Sequence, residues 1–370
     1  MKSIVQEVLS RAKGRTKVRE SPTEIGGYST DDAELERILA GLKTTIRIVG
    51  VGGAGSNTID RLVEAGVLGA ELYATNTDAQ HLLVVRAPHK ILLGRRSTRG
   101  LGAGALPQVG EEAARESEEE LRAMLQGADM VFITCGLGGG TGTGGAPYIA
   151  SIAKEIGALT IAICTLPFHA EGAIRNENAE YGLDKLRNFA DTVIVIPNDK
   201  LVELVPRLSL NAAFKVADEV LMRAIKGVTE IITKPGLVNL DFNDIKTVMK
   251  GGGVAMIGLG ESSDSDVRAE EAIEGAINSP LVDVDISTAT GALVNVTGGT
   301  DMSVGEAEKV AEILQDRINP NSRIIWGAVV DPALEQRMRV LLIVTGVKSK
   351  QIFGPAKLKR EETAGVEMVS

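Results

Sequence analysis

Ten consecutive residues, Gly136-Leu137-Gly138-Gly139-Gly140-Thr141-Gly142-Thr143-Gly144-Gly145, include seven glycines. They follow an apolar run, MVFITC, and lead into a helix-like segment, APYIASIAKEIG. Glycine forgoes side-chain burial and loses more conformational freedom on folding than any other residue. A structural turn needs one or two of them. Three in a row, then Thr-Gly-Thr-Gly, let backbone N–H groups wrap an anion, with threonine hydroxyls as added donors. A buried strand that ends in such a loop and resumes as a helix belongs in an α/β fold.

A second glycine loop, Gly50-Val51-Gly52-Gly53-Ala54-Gly55-Ser56-Asn57, ends the first strand-like run, TIRIVG. Gly50, Gly52 and Gly55 satisfy G-x-G-x-x-G between a strand and a helix. Alone, that pattern has two readings, tight turn geometry or a dinucleotide site. The dinucleotide reading asks for an acidic residue at the end of the second strand, where this chain has Asn76-Thr77-Asp78. Two phosphate loops on adjacent turns of one sheet suit a nucleoside di- or triphosphate. No G-x-x-x-x-G-K-[ST] occurs, so this is not a P-loop protein. The cationic stretch from Gly94 to Gly104 reads either as a cover over a γ-phosphate or as a solvated loop.

From Thr45 to about Asn198, apolar strand runs alternate with helical patterns, which predicts a doubly wound, mainly parallel sheet. A long helix begins near Ser209, with Leu210, Ala213, Phe214, Ala217, Val220, Leu221, Ala224, Val228, Ile231 and Ile232 at three-four spacing. Lys234-Pro235-Gly236 closes it. A smaller α+β second domain follows. The predicted organisation is an N-terminal extension (1–43), a nucleotide-binding α/β domain (44–208), a connecting helix (209–234), the α+β domain (235–348) and a tail (349–370).

Composition narrows the partners. The formal net charge of −9 is not the balance of a chain that neutralises phosphate backbones, so nucleic acid is not expected. Cys135 and Cys164 each sit in an apolar run, as buried reduced thiols do. The first residues lack a continuous apolar core, and no run reaches the ~18 apolar residues of a membrane span. The chain is expected to be cytoplasmic.

The motifs form a set. GLGGGTGTG stands with GVGGAGSN, NTDAQ, RGLGAG, TLPF followed by Glu171-Gly172, Pro197 to Leu201, and Gly236 to Asp244. In that order they resemble the tubulin/FtsZ family from roughly Thr45 to Lys348, in wording closest to its archaeal branch. The resemblance implies a GTPase that polymerises head to tail and forms the cytokinetic ring at the division site. It implies GTP/GDP with Mg²⁺ bridging phosphate oxygens, no dedicated protein metal site, and tethering or regulatory partners of unknown identity.

Carried onto matching positions, the resemblance implies nucleotide contacts from Gly53, Ala54, Gly55, Ser56 and Asn57, from Asn76, and from Gly138, Gly139, Gly140, Thr141, Gly142 and Thr143. Glu171 and Arg175 would face ribose and phosphate, and Asn198, Phe214 and Asp218 the base. Asn239, Asp241 and Asp244 would form a loop whose acids complete hydrolysis on the neighbouring subunit. Other readings stay open beside these. Glu171 and Arg175 at i,i+4 also fit a surface ion pair. Phe214 also fits plain core, and Asp241 with Asp244 an N-cap and first-turn charge. The tail KLKREETAGVEMVS lacks the apolar, proline-containing docking peptide of bacterial relatives. A nicotinamide oxidoreductase built on Gly50, Gly52 and Gly55, or an assembly factor that binds GTP without turnover, are the rival functions.

Overall fold

In the computed structural model, residues 44–200, 210–233, 236–238, 240–264, 266–279, 281 and 284–347 are described. The 1–43 extension, Ser209, Asn239 and the 349–370 tail, all named above, lie outside the described residues. Strands β1 (Ile46–Val51), β2 (Ala70–Asn76), β3 (His89–Leu92), β4 (Met130–Gly136), β5 (Leu159–Leu166) and β6 (Thr192–Pro197) run parallel in the order β3-β2-β1-β4-β5-β6. Their central members are β-branched and almost wholly buried, because helices cover both faces. Those helices are α1 (Gly52–Glu64), α2 (Ala79–Val84), α3 (Pro107–Glu116), α4 (Glu118–Leu125), α5 (Thr141–Glu155) and α6 (Ala173–Phe189).

The second half continues the same sheet. β7 (Gly253–Ser262) joins β6 in parallel through three residue pairs, Thr192–Gly253 to Ile194–Ala255. β10 (Met338–Thr345) then lies antiparallel between β7 and β8 (Gly291–Gly298), and β9 (Arg323–Val330) ends the ten-stranded sheet. Helices α8 (Phe242–Met249), α9 (Arg268–Ile277) and α10 (Val304–Arg317) pack on this half. Asp241 and Ser303 cap α8 and α10 one residue before each begins, where short polar side chains meet the orphan N–H groups of a helix start.

The long helix α7 (Leu210–Thr233) packs on α1 and β5 of the first half and on β8 and β9 of the second. Ala217, Val220, Leu221, Ala224, Ile225, Val228 and Ile231 share one core with Ile161, Ile194, Leu293, Leu341 and Ile343. Each fully buried aliphatic side chain there contributes about 1.5–3 kcal/mol. The helix also connects the two poles of the sheet. Asp218, near its start, lines the cleft at the C-terminal ends of β1, β4 and β5. Thr233, at its end, donates its hydroxyl to Thr229 O one turn back, and its Cγ2 stands 2.5 Å from where a Cβ on Gly69, just before β2, would sit. Fifteen residues of helix separate the two, roughly 22 Å.

One boundary differs from the sequence reading. The run Gly136 to Gly145 reads as a loop, yet α5 begins at Thr141 and its first turn contains Gly142, Gly144 and Gly145. The reason is close backbone packing of α5 on α3. A Cβ on Gly144 would stand 1.9 Å from Pro107 O, and one on Gly110 would stand 2.2 Å from Gly140 O. Part of the glycine density therefore serves helix contact. Among the described residues no helix is long and apolar enough to cross a membrane.

Candidate nucleotide site

A cleft of about 530 Å³ opens at the C-terminal ends of the parallel strands. Gly53 and Ala54 line it from the start of α1, and Gly139 to Gly142 from the approach to α5. The first N–H groups of a helix have no partner within it and carry its positive dipole end, so two helix starts converge on one cleft. Gly53 and Gly139 have open space where a Cβ would stand, and a ligand can approach the backbone there. Gly52 has φ +74° and a virtual Cβ 2.9 Å from Gly142 N, so the two loops pack backbone on backbone. Gly50 and Gly55 are glycine for a related reason, each virtual Cβ falling 2.2–2.3 Å from a carbonyl oxygen.

The predicted loop residues divide by task. The Thr141 and Thr77 hydroxyls lie 2.6 Å apart in the cleft. The Thr143 hydroxyl accepts from Gly138 N–H at 2.9 Å and braces the loop from behind. Gly140 N–H donates to Gly104 O at 2.9 Å, which docks the 94–104 stretch onto the cleft. That stretch is further tied by Gly102 N–H to Thr77 O and by Ala79 N–H to Gly100 O, so Leu101 to Gly104 form a wall of the cleft. Ser56 is fully buried, and its hydroxyl has no partner among the described residues.

Asn198, Phe214, Ala217 and Asp218 line the far end of the cleft. Asn198 is 4% exposed and its Oδ1 has no hydrogen-bond partner among the described residues, an acceptor suited to a ligand N–H. Phe214 is 38% exposed and meets Phe168 edge-on at 5.1 Å, so it offers an accessible aromatic surface and is not plain core. Burial pushes the Asp218 carboxyl above the usual aspartate range, and the nearby Arg61 guanidinium opposes that shift.

Glu171 and Arg175 form the i,i+4 ion pair at 2.5 Å, and Glu171 also accepts from Phe168 N–H at 2.9 Å. Asp78 caps α2 by accepting from His81 N–H. Among the described residues the carboxylates that line the cleft, Asp78, Glu171 and Asp218, each have a partner within the chain.

Asp241 and Asp244 are elsewhere. Asp241 Oδ1 accepts from Asp244 N–H at 2.8 Å, and Asp244 Oδ2 accepts from Asp241 N–H at 3.2 Å. The capping reading therefore describes their contacts in the single subunit. Their segment is pinned at both ends away from the cleft. Thr233 packs against Gly69 just before β2 starts, and Met249 O accepts the hydroxyl of Thr192, the first residue of β6. Val238 bridges to Ala328 on the outer edge of β9.

Sequence reasoning missed His81 and Arg61. His81 lines the cleft and bonds both Asn57 and Asn76. Arg61 stands four residues after Asn57 on α1, a spacing that puts both on one face and was available as a signal.

A parallel sheet with two helix starts facing one cleft, an exposed phenyl ring, a buried amide and a buried carboxylate define a nucleotide-binding α/β protein outside the P-loop class. Residues 45–206 match the tubulin/FtsZ family GTPase domain, and residues 253–348 match the FtsZ family C-terminal domain. The chain is 58% identical to cell division protein FtsZ 1 of Archaeoglobus fulgidus over 100% of this chain and 99% of that one. It is 58% identical to cell division protein FtsZ of Haloferax mediterranei, over 96% of this chain and 95% of that one. The solved empty FtsZ dimer of M. jannaschii superposes with a TM-score of 0.82 at 56% identity, covering 86% of this chain and 93% of that one. The chain belongs to the tubulin/FtsZ family.

Proposed function

We propose that this chain is an FtsZ-like GTPase that assembles head to tail into filaments at the division site, and that its hydrolytic site is completed by a neighbouring subunit. One observation carries the shared-site part. The cleft holds anion donors and its described carboxylates are tied to groups of their own chain, while Asp241 and Asp244 lie on a segment held at the opposite pole. Phosphoryl transfer depends on positioning and charge stabilisation, and in this reading the group that orients the attacking water is supplied by the neighbouring subunit.

In this reading Gly53, Ala54, Gly139, Thr141 and Gly142 hold the phosphates with N–H and O–H donors. Phe214 stacks on the base, Asn198 Oδ1 accepts from it, and ionised Asp218 accepts from guanine N1–H and its exocyclic amine. Asp241 and Asp244, with Asn239, orient water at the γ-phosphate of the next subunit. Both acids are pre-oriented by their mutual capping bonds.

Mg²⁺ accompanies GTP. In this reading the ion would be carried chiefly by phosphate oxygens and water. The Thr77 and Thr141 hydroxyls and the Asp78 carboxylate are among the protein oxygens lining the cleft that would face it. Bound there, it neutralises charge on the phosphates.

Two surfaces support the head-to-tail contact. Around the cleft, Leu101 is 84% and Ile174 70% exposed, an apolar rim that a monomer gains nothing by presenting. In the second half, a cavity of about 690 Å³ between α10 and β9 is lined by Ile324 and Trp326 together with Glu308, Glu312 and Asp316. A contact between unlike faces of identical subunits is open-ended and builds a filament.

The same reading divides the chain into the nucleotide domain (44–208), the connecting helix (209–234) and the α+β domain (235–348), flanked by the 1–43 and 349–370 segments. It places the protein in the cytoplasm, concentrated at the division site, with membrane tethers and regulators as further partners. The test is phosphate release from GTP at increasing protein concentration. Specific activity should rise with concentration, whereas a concentration-independent rate would refute the shared site.

A further inference from the structure

His81 sits at the third position of α2, where its N–H is taken by the Asp78 carboxylate at 3.0 Å. That bond fixes the backbone, and the imidazole then spans two elements. Nδ1 lies 3.2 Å from Asn76 Nδ2 at the end of β2, and Nε2 lies 3.0 Å from Asn57 Oδ1 on α1.

The direction of this chain of bonds can be deduced. Asn76 Oδ1 accepts from Asp78 N–H at 3.3 Å, and a backbone N–H requires an oxygen there. The Asn76 amide therefore turns its NH₂ toward the ring. An NH₂ only donates, so Nδ1 is the unprotonated acceptor, and the neutral ring carries its proton on Nε2. Nε2–H then donates to Asn57 Oδ1, which turns the Asn57 NH₂ away from the ring. The imidazole thereby carries the polarity set at Asn76 across to Asn57, and it is the second bond that holds the Asn76 amide. Without the ring, only the 3.3 Å bond from Asp78 N–H keeps Asn76 from flipping.

We propose that His81 is a positioning residue of the GTP site, clamping the Asn76 amide in the orientation that leaves an N–H for the nucleotide and tying it to Asn57 on α1. This rests on reading the cleft as the GTP site. Asn76 lines the cleft and has one N–H left for an acceptor, and an anionic ligand is attracted by that donor and repelled by a flipped amide oxygen. Nothing in the reading makes His81 touch the reacting atoms.

The test is equilibrium binding of labelled GTP to unassembled subunits, with thermal unfolding measured on the same preparations. His81→Phe keeps a ring and removes both polar ends. His81→Gln keeps one acceptor and one donor in a neutral side chain. Affinity should fall about tenfold in His81→Phe and return most of the way in His81→Gln, because two neutral hydrogen bonds are lost and then restored. Unfolding temperatures of the three proteins should not follow that order. If the phenylalanine disturbs folding, His81→Ala adds no bulk and should show the same loss of affinity. Wild-type affinity in His81→Phe or His81→Ala overturns the proposal alone. Equal losses in the Gln and Phe proteins, tracking lowered unfolding temperatures, overturn it in favour of a purely structural histidine. Wild-type subunits that bind no GTP overturn the reading of the cleft itself, and this proposal with it.

Discussion

Arg61 Nε lies 3.5 Å from Asp218 Oδ2, which ties the helix after the first glycine loop to the helix that spans the sheet. The pair is partly buried, and two effects compete within it. Burial disfavours the ionised carboxylate and raises its pKa, while the guanidinium favours ionisation; burial is the larger. A carboxyl that accepts from both guanine N1–H and the exocyclic amine has to be ionised, so in the proposed reading Arg61 holds Asp218 closer to the recognising state.

A pH dependence follows. Below its raised pKa, Asp218 is protonated and stops accepting, so GTP affinity should fall on acidification at a pH above the ordinary aspartate range. Arg61→Ala removes the opposing charge, and the acid limb should then move to higher pH. Nucleotide titrations of both proteins from pH 4 to 8 check this. An acid limb that stays where it was in Arg61→Ala would count against the pair.

The same group trades stability against recognition. A carboxyl with a raised folded pKa contributes stability below its unfolded pKa and loses that contribution as pH rises through the folded value. At pH 7 an ionised Asp218 therefore burdens the nucleotide-free subunit, and Asp218→Asn should unfold at a higher temperature than wild type. Its preference for GTP over ATP should shrink from at least roughly a hundredfold toward parity, since the amide cannot accept two guanine donors as a carboxylate does. Competition of ATP for bound labelled GTP measures the loss.

Glycine substitutions should separate the fold from the anion site. Gly139→Ala places its Cβ in open space, so it should fold normally and weaken nucleotide binding by obstructing the approach to the backbone. Gly142→Val would bring a branched side chain against Gly136 O, 2.6 Å from the virtual Cβ, and should lose about 1–3 kcal/mol of stability as well as binding. Chemical denaturation beside nucleotide titration distinguishes the two. Unchanged affinity in a folded Gly139→Ala protein would argue that the loop is structural only.

Asp244→Ala removes the oxygen that accepts from Asp241 N–H, a capping loss of about 1 kcal/mol, and leaves the cleft of its own subunit intact. Isolated mutant subunits should bind GTP as wild type does, while hydrolysis in filaments falls by orders of magnitude. Adding a GTP-binding-defective protein with Asp241 and Asp244 intact should restore some phosphate release. Absence of that complementation, with hydrolysis at the wild-type rate, would reduce Asp244 to a helix cap.

Cys135 and Cys164 face each other across β4 and β5 in register, both fully buried. Burial pushes the Cys135 thiol up to about 12, and raises Cys164 as well, so neither is a thiolate at neutral pH. A thiol reagent should label neither residue in the native protein and both after unfolding. Rapid native labelling would mean that the sheet beneath the phosphate loop opens readily.

Much of this was legible in the residues. The alternating strand and helix runs, the glycine loops and the long apolar stripe from Ala217 to Ile231 each follow from local periodicity. The start of α5 at Thr141 was not legible, since glycine reads as loop until the partner backbone of α3 is known. Nor was the division of labour within the glycine run. Thr143 braces Gly138 while Thr141 faces Thr77 in the cleft, although the two threonines stand in the same Gly-flanked setting. The continuity of the sheet through Thr192 to Ile194 also escaped, because a three-pair junction leaves no pattern in either strand.

Four glycines at or behind the cleft rest directly on the backbone of another segment: Gly52 on Gly142, Gly142 on Gly136, Gly140 on Gly104, and Gly144 on Pro107. Side chains elsewhere in a protein act as cushions, taking up a neighbour's change by a shift of rotamer. Here there is nothing to compress. A substitution at one glycine displaces the main chain of a different loop, and with it the N–H donors aimed at the nucleotide. A change in one of these loops therefore calls for a matching change in the loop it rests on.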